Sequence, residues 1–414
     1  MFAKLALQSL LDRKGSVVLS IMAMTVSIFV LLGVEHVRHQ VKDSFSNTVS
    51  GTDLIVGART GSLNLLLYSV FRIGSPTNNI HWQSFETIAA NPKVKWAIPI
   101  SLGDSHKGFR VLGTTRDYFE YFSYGKQRHL AFEQGEAFND VFDVVLGSEV
   151  AKKLAYKLGD KVVLAHGVAE TSFSLHDDRP FQIVGILKPT GTPVDQTLHV
   201  SLQGIEAIHI DWQHGVKIPG SALSQSEIEQ ADLQPKSITA FMLGLKSKIA
   251  TFRVQREINQ YTHEPMMAIL PGVALSELWQ MMRILENTLL LVSALVFVAA
   301  CLGVSALLLS SIRERSREIQ LLRAIGASPS FLFLLIELEA VFITLSSIVL
   351  GMGLLAGSLV LSQGYLLAHF GLHIESNVFT LHSLILVSAM AVASIVVAFI
   401  PSLIGYYQAR TINK

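Results

Sequence analysis

The chain has 414 residues, 50% of them hydrophobic and only 16% charged, with a mean hydropathy of +0.43. Soluble globular chains carry about 25% charged residues, so this composition argues against an ordinary soluble enzyme. A net charge of +1, from 33 basic and 32 acidic side chains, gives no global bias toward nucleic acid.

In chain order, Phe2, Leu5, Ala6, Ser9 and Leu10 fall on one helical stripe, which predicts a short amphipathic helix along the inner leaflet within residues 1–15. Ser16–Val34 then contains no charged residue and is about as long as a bilayer is thick. Lys4, Arg13 and Lys14 precede it as in a signal peptide. However, Gly33-Val34-Glu35-His36 is a poor cleavage site, and the run is expected to stay as an anchor. Leu289–Ser311, Ala340–Ala368 and Ser383–Ile404 are also uncharged. Spans are therefore expected at 16–34, 289–311, 331–361 and 381–404. The single cysteine, Cys301, lies in the second of these, so the domain before it has no disulfide.

Residues 35–288 are polar enough for a stalk and a folded domain outside the membrane. Glu35–Asn47 and Ala274–Asn287 hold no Gly or Pro and can carry their helices outward as a paired stalk; two unrelated amphipathic helices is the alternative. Strand-like segments follow at Asp53–Val56, Val94–Ile100, Phe109–Leu112, Val141–Leu146, Lys161–Leu164, Phe181–Leu187 and Thr239–Leu245. Helical pieces at Trp82–Ala90, Ser148–Tyr156 and Thr251–Thr262 intervene without strict βαβ alternation. The expected fold is an α-helical membrane protein with four transmembrane helices and an α+β extracytoplasmic domain inserted between helices 1 and 2. The domain is expected to divide into a base, 48–115 with 236–273, and a lobe, 116–235, with Gly215–Pro235 as a mobile loop.

Basic residues set the orientation. Lys4, Arg13 and Lys14 lie before span one, Arg313, Arg315, Arg317 and Arg323 between spans two and three (312–330), and Arg410 and Lys414 in the tail (405–414). The loop 362–380 has none. The positive-inside rule then places both termini and 312–330 in the cytoplasm, and 35–288 and 362–380 outside.

The most informative stretch is Arg313-Glu-Arg-Ser-Arg-Glu-Ile-Gln-Leu-Leu-Arg-Ala-Ile-Gly-Ala327. Ile319, Leu322 and Ile325 form one apolar stripe among Arg313, Glu314, Arg315, Arg317, Glu318 and Arg323. Gly326 supplies the helix stop before Ala327, and Pro329 restarts the chain. A charged loop obeying the positive-inside rule does not require such a stripe.

This segment resembles the loop between the second and third spans of FtsX-like permeases, including the MacB-type, mechanotransmission ABC transporters. Their pattern, R-E-R-x-x-E-I-x-x-L-R-A-x-G-A, is matched at every fixed position from Arg313 to Ala327. Val49–Val56 also resembles the start of the family's outer domain, and the layout of spans agrees over most of the chain. Lipoprotein-releasing permeases share that layout, although Val26–Gly33 lacks the glycine-rich first span associated with them. The resemblance implies a permease subunit of the bacterial inner membrane that docks its cytoplasmic helix on a separate ABC ATPase and works as a dimer, expected to be a homodimer. It implies no cofactor in this chain, ATP and Mg being bound by the partner, and leaves a periplasmic adaptor or substrate-binding protein open. No G-x-x-x-x-G-K-[ST] occurs in the sequence.

Gly351, Gly353 and Gly357 in span three read as small residues for helix packing rather than a phosphate loop. Glu337 and Glu339 read as interfacial or partner-facing. The fourteen histidines all fall outside the cytoplasmic segments. His36 with His39, and His369 with His373, have spacings that place two rings on one helix face, a metal-ligand geometry. His166, His176, Asp177 and Asp178, then His199, His209, Asp211 and His214, are further candidates of the zinc-ligand type. Histidines at interfaces and in turns are the ordinary alternative. The leading expectation is a permease that exports or extracts a substrate at the outer face. The alternatives are a non-transporting regulator of a partner such as a cell-wall hydrolase, and a zinc-linked transport role. A membrane-anchored enzyme finds no G-x-S-x-G or H-E-x-x-H to support it.

Overall fold

The structure, a computed structural model, describes residues 2–167, 179–210, 212–213, 216–217, 231–314, 321, 324, 326–370 and 377–411. The chain forms two compact units, one chiefly of Lys42–Met281, the other chiefly of Met1–Val41, Met282–Tyr365 and Ile374–Lys414.

The second unit holds the apolar helices. The amphipathic start is the helix Phe2–Asp12, with Ala6, Ser9 and Leu10 buried and Leu7 and Leu11 exposed. Among the described residues, four helices are long and apolar enough to cross a membrane: Lys14–Thr48, Pro271–Glu314, Pro329–Phe370 and Leu381–Thr411. Each exceeds its uncharged run, because a helix does not stop where charge begins; it stops at a cap or a breaker. In the first helix the polar end carries Arg38, whose guanidinium lies 3.8 Å from Glu286 of the second.

Polar atoms join these helices in pairs. Thr344 Oγ1 and Ser394 Oγ are 2.6 Å apart between the third and fourth helices. Ser347 Oγ donates to the Ile21 carbonyl of the first at 3.3 Å, and Ser305 Oγ of the second to the Val397 carbonyl of the fourth at 3.4 Å. In hydrocarbon such a group keeps a partner or loses free energy, so each pair fixes register as well as contact.

The outer unit is built on an eleven-stranded mixed sheet. Its strands are β1 (Leu54–Ala58), β2 (Val94–His106), β3 (Phe109–Thr114), β4 (Phe132–Gly135), β5 (Asp143–Leu146), β6 (Lys161–Val162), β7 (Ala165–His166), β8 (Phe181–Leu187), β9 (Thr197–Ser201), β10 (Ala240–Leu245) and β11 (Met266–Ile269). The spatial order is β11-β1-β10-β2-β3-β9-β5-β8-β4, with β7 paired to β2 and β6 to β8. Most pairs are antiparallel, while β9 runs parallel to β3 and β8 parallel to β5.

Alternation sorts each strand between two cores. Leu54 and Val56 of β1 join Phe241 and Leu243 of β10 on one face, while Ile55 joins Ala240 and Met242 on the other. Both faces are covered, which is why β1 and β10 read as nearly continuous apolar runs. The ranges 48–115 and 116–235 share this framework: β9 and β5 extend the sheet from β3, and one core cluster contains both Ile98 and Val145. The lobe therefore continues the base's sheet, while a further core cluster, with Val144, Leu146, Phe181, Ile183, Leu198 and Val200, lies almost wholly within it. Most of Gly215–Pro235 lies outside the described residues.

At the base of the outer unit, Phe45 stacks on Phe71 with ring centroids 4.4 Å apart and meets Trp279 edge-on at 5.8 Å. The polar ends of the first two long helices thus run side by side there.

Candidate functional site

The charged segment between the second and third long helices is followed by two local signals. Before it, the second helix is described as far as Glu314, with Arg313 and Glu314 exposed. Gly326 has φ +99°, the left-handed conformation that ends a helix and that side chains with a Cβ rarely adopt. Two residues later Ser328 caps the third helix: its Oγ accepts from the Phe331 amide at 3.2 Å, and Pro329 takes the first helical position. Ala327 lies between the stop and the cap. Arg315, Arg317, Glu318, Ile319, Leu322, Arg323 and Ile325 lie outside the described residues.

The turn after the N-terminal helix supplies a residue that sequence reasoning does not connect to this segment. Arg13 Nη2 donates to the Ser311 carbonyl of the second helix at 3.1 Å, and its Nε is 3.7 Å from Glu314 Oε2. Ser310 Oγ also reaches Glu314 Oε1 at 3.1 Å. Glu314 is thereby held within the chain. The sequence shows Arg13 only as a topology charge, because no local spacing reveals a partner 298 positions away.

Glu339, by sequence interfacial or partner-facing, is buried within the chain and accepts a hydrogen bond from Ser9 Oγ. The amphipathic helix turns its polar Ser9 toward this carboxylate, so Glu339 is satisfied inside the subunit; Glu337 is half-buried. The three glycines also separate. A Cβ at Gly351 would sit 2.9 Å from Ile28 Cγ2 and 3.3 Å from the Thr25 carbonyl, so the first and third helices approach closely there. At Gly353 and Gly357 a Cβ would meet nothing within 4 Å, so these two do not make the packing contact expected of them inside the chain. Gly405 makes such a contact without standing out in the sequence. A Cβ there would lie 2.7 Å from Ile336 Cδ1, where the fourth helix crosses the third.

The histidines are distributed as follows. His36 is buried, and His39 Nε2 lies 3.1 Å from Glu35 Oε1 with its ring 4.5 Å from that of His382. Neither belongs to a three-ligand group among the described residues. The His369 side chain, His373, His176, Asp177, Asp178, Asp211 and His214 lie outside the described residues. His199 is fully buried on β9 against Tyr118 and Phe119. His166 and His209 do converge, together with Asp104, a residue that no sequence pattern marks. Burial works against a charged His209, but the hydrogen bond and charge of Asp104 outweigh it and raise the imidazole above its ordinary value.

Comparison with known proteins adds the following. A family model described as MacB-like periplasmic core domain matches residues 16–261, and one described as FtsX-like permease C-terminal matches residues 290–414. The lipoprotein-releasing system transmembrane protein LolE of Haemophilus influenzae is 22% identical over 263 residues, which cover 61% of this chain and 58% of that protein. The chain thus spans less than two thirds of that relative's length. The periplasmic region of MacB from Actinobacillus actinomycetemcomitans aligns with a TM-score of 0.36 and 11% identity, covering 56% of this chain and 94% of that one. For the extracellular domain of the noncanonic ABC-type transporter YknZ from Gram-positive bacteria the values are 0.30 and 11%, covering 52% and 98%.

Proposed function

Because the chain belongs to the FtsX/MacB-type family of ABC transporter permeases, we propose that it is the transmembrane subunit of a mechanotransmission-type transporter. It sits in a bacterial inner membrane with both termini in the cytoplasm and the eleven-stranded unit in the periplasm. A separate ATPase binds ATP and Mg and docks on the segment Arg313–Ala327. A second permease copy completes the assembly. Nucleotide-driven movement reaches the outer unit through the first two long helices, and the work is export or extraction of a substrate at the outer face.

The observation that carries this reading is the motif Arg313–Ala327 itself. Its charges and apolar stripe lead into a left-handed Gly326 and a capped restart of the third helix at Ser328. A dense motif followed by a helix stop and a cap favours a docking element over a loose charged loop. Glu318→Lys tests it. Reversing a charge in a desolvated interface costs about 2 kcal/mol or more, roughly thirtyfold in affinity. Co-purification with the cognate ATPase should fall accordingly and permease-stimulated hydrolysis should be lost. Undiminished complex formation would overturn the assignment.

A further inference from the structure

We propose that Asp104, His166 and His209 form a binding site for a divalent metal ion of the zinc class in the outer unit. Three separate elements bring these residues together. Asp104 lies near the end of β2, His166 is its direct cross-strand neighbour on β7, and His209 ends the helix Leu202–His209 that follows β9. Two-residue strand β7 is held in place by the Gly167 amide, which donates to the Gly103 carbonyl at 2.9 Å.

The ligand atoms form a nearly equilateral triangle. Asp104 Oδ1 is 3.3 Å from His166 Nδ1 and 3.5 Å from His209 Nε2, and the two nitrogens are 3.3 Å apart. In a tetrahedral site with metal–ligand bonds of about 2.0–2.1 Å, adjacent ligand atoms are separated by about 3.3 Å. The three atoms therefore already stand at the separations that one ion would impose. Two imidazoles and a carboxylate are the donor set that suits zinc, in preference to the all-oxygen sets of calcium or magnesium.

Orientation of the rings gives the same answer. His209 Nδ1 lies 2.8 Å from the Ile205 carbonyl, which can only accept, so Nδ1 carries the hydrogen. In the neutral ring Nε2 is then the lone-pair nitrogen, and it is this atom that faces Asp104 and His166. A backbone carbonyl that fixes the tautomer of a ligating histidine is the usual second layer of a metal site. Asp104 is 3% exposed, whereas His166 has a side chain 47% exposed, so the anionic ligand is walled in while an ion can still enter.

The test uses the full chain in detergent, purified without a histidine tag and titrated with Co²⁺ and then Zn²⁺. The expected result is one Co²⁺ per chain with the intense visible absorption of tetrahedral cobalt, displaced by Zn²⁺. Loss of a second-layer residue alone weakens metal sites about 10–100-fold, so His166→Ala and His209→Ala should each lower affinity by about 100-fold or more. His39→Ala should leave it unchanged. His166→Ala alters an exposed side chain and keeps the test valid if His209→Ala fails to fold. No uptake by the native chain, or an unchanged cobalt spectrum and affinity in His166→Ala, would overturn the proposal.

Discussion

Replacing His199 should flatten the acid sensitivity of the outer unit. Strand alternation forces this side chain inward: Leu198 and Val200 join one core, leaving His199 on the opposite face between Tyr118 and Phe119, at ring separations of 5.2 and 5.9 Å. Burial, with the charge of Arg72 adding to it, pushes the imidazole from 6.5 down to about 3, against a weak opposing contact at 3.3 Å with the Val145 carbonyl. The folded value lies below the unfolded one, so the unfolded chain takes up the proton first as pH falls. The stability at stake is fully present above about pH 6.5 and is lost progressively down to about pH 3. At about 1.4 kcal/mol per pH unit, this one site costs about 1.4 kcal/mol between pH 7.5 and 5.5, and about 2.7 kcal/mol by pH 4.5. Phe is the suitable replacement, since Nε2 has no hydrogen-bond partner to lose and the neighbours are aromatic. Denaturant unfolding of the full chain in detergent, followed by the fluorescence of Trp82 and Trp96, measures the difference between native protein and His199→Phe at each pH. The remaining titrating groups cancel in that difference. It should shift by about 1.4 kcal/mol in favour of the variant between pH 7.5 and 5.5. Parallel pH dependence in the two proteins would refute the argument.

Two further outcomes follow from the helix unit. Gly351→Val inserts atoms where the first helix leaves no room, and overpacking of this kind costs about 1–3 kcal/mol. Thermal unfolding in detergent should show a lowered Tm for Gly351→Val and no comparable change for Gly353→Val; equal losses would mean that the close approach at Ile28 is not the cause. Arg13→Ala removes a partly exposed ion pair and a hydrogen bond to the Ser311 carbonyl, worth about 1 kcal/mol together. It should leave ATPase binding near native while lowering stimulated hydrolysis, because the base of the second helix is no longer held. Native stimulation in this variant would sink that role for Arg13.

The spans are legible in the sequence because an uncharged run of about twenty residues matches the thickness of a bilayer and has no polar face to offer water. The family is legible because the charged segment carries a dense motif. Asp104 is not. Gly103-Asp-Ser-His-Lys-Gly108 reads as a loop between two strands, but the structure carries β2 through to His106 and turns on Lys107 and Gly108 alone, both at positive φ. A residue that looks like turn punctuation is thereby placed in a strand, opposite a histidine far along the chain. β9 and the helix after it escape sequence reading for a related reason. Thr197–Ser201 alternates polar and apolar residues, so His199 reads as facing water, and it is buried there only because distant residues supply aromatic surroundings. His166 and His209 stand out by residue type, yet their meeting depends on sheet pairing that no spacing encodes.

The polar groups of the four long helices bear on where the work is done. Transport through a bundle needs polar side chains gathered along a path. Here Thr344 is spent on Ser394, Ser347 on the Ile21 carbonyl, Ser305 on the Val397 carbonyl, and Glu339 on Ser9. Each joins a different pair of helices, and Gly351 and Gly405 bring backbones close where two of those pairs cross. Such groups fix helix register in hydrocarbon. The first and second helices, by contrast, run unbroken past their apolar stretches to Thr48 at one end and from Pro271 at the other, and are cross-linked by Arg38–Glu286 and Phe45–Trp279. A bundle in which these polar pairs serve packing, and whose first two helices run on past their apolar stretches, is suited to passing motion along its helices, which supports the mechanotransmission reading.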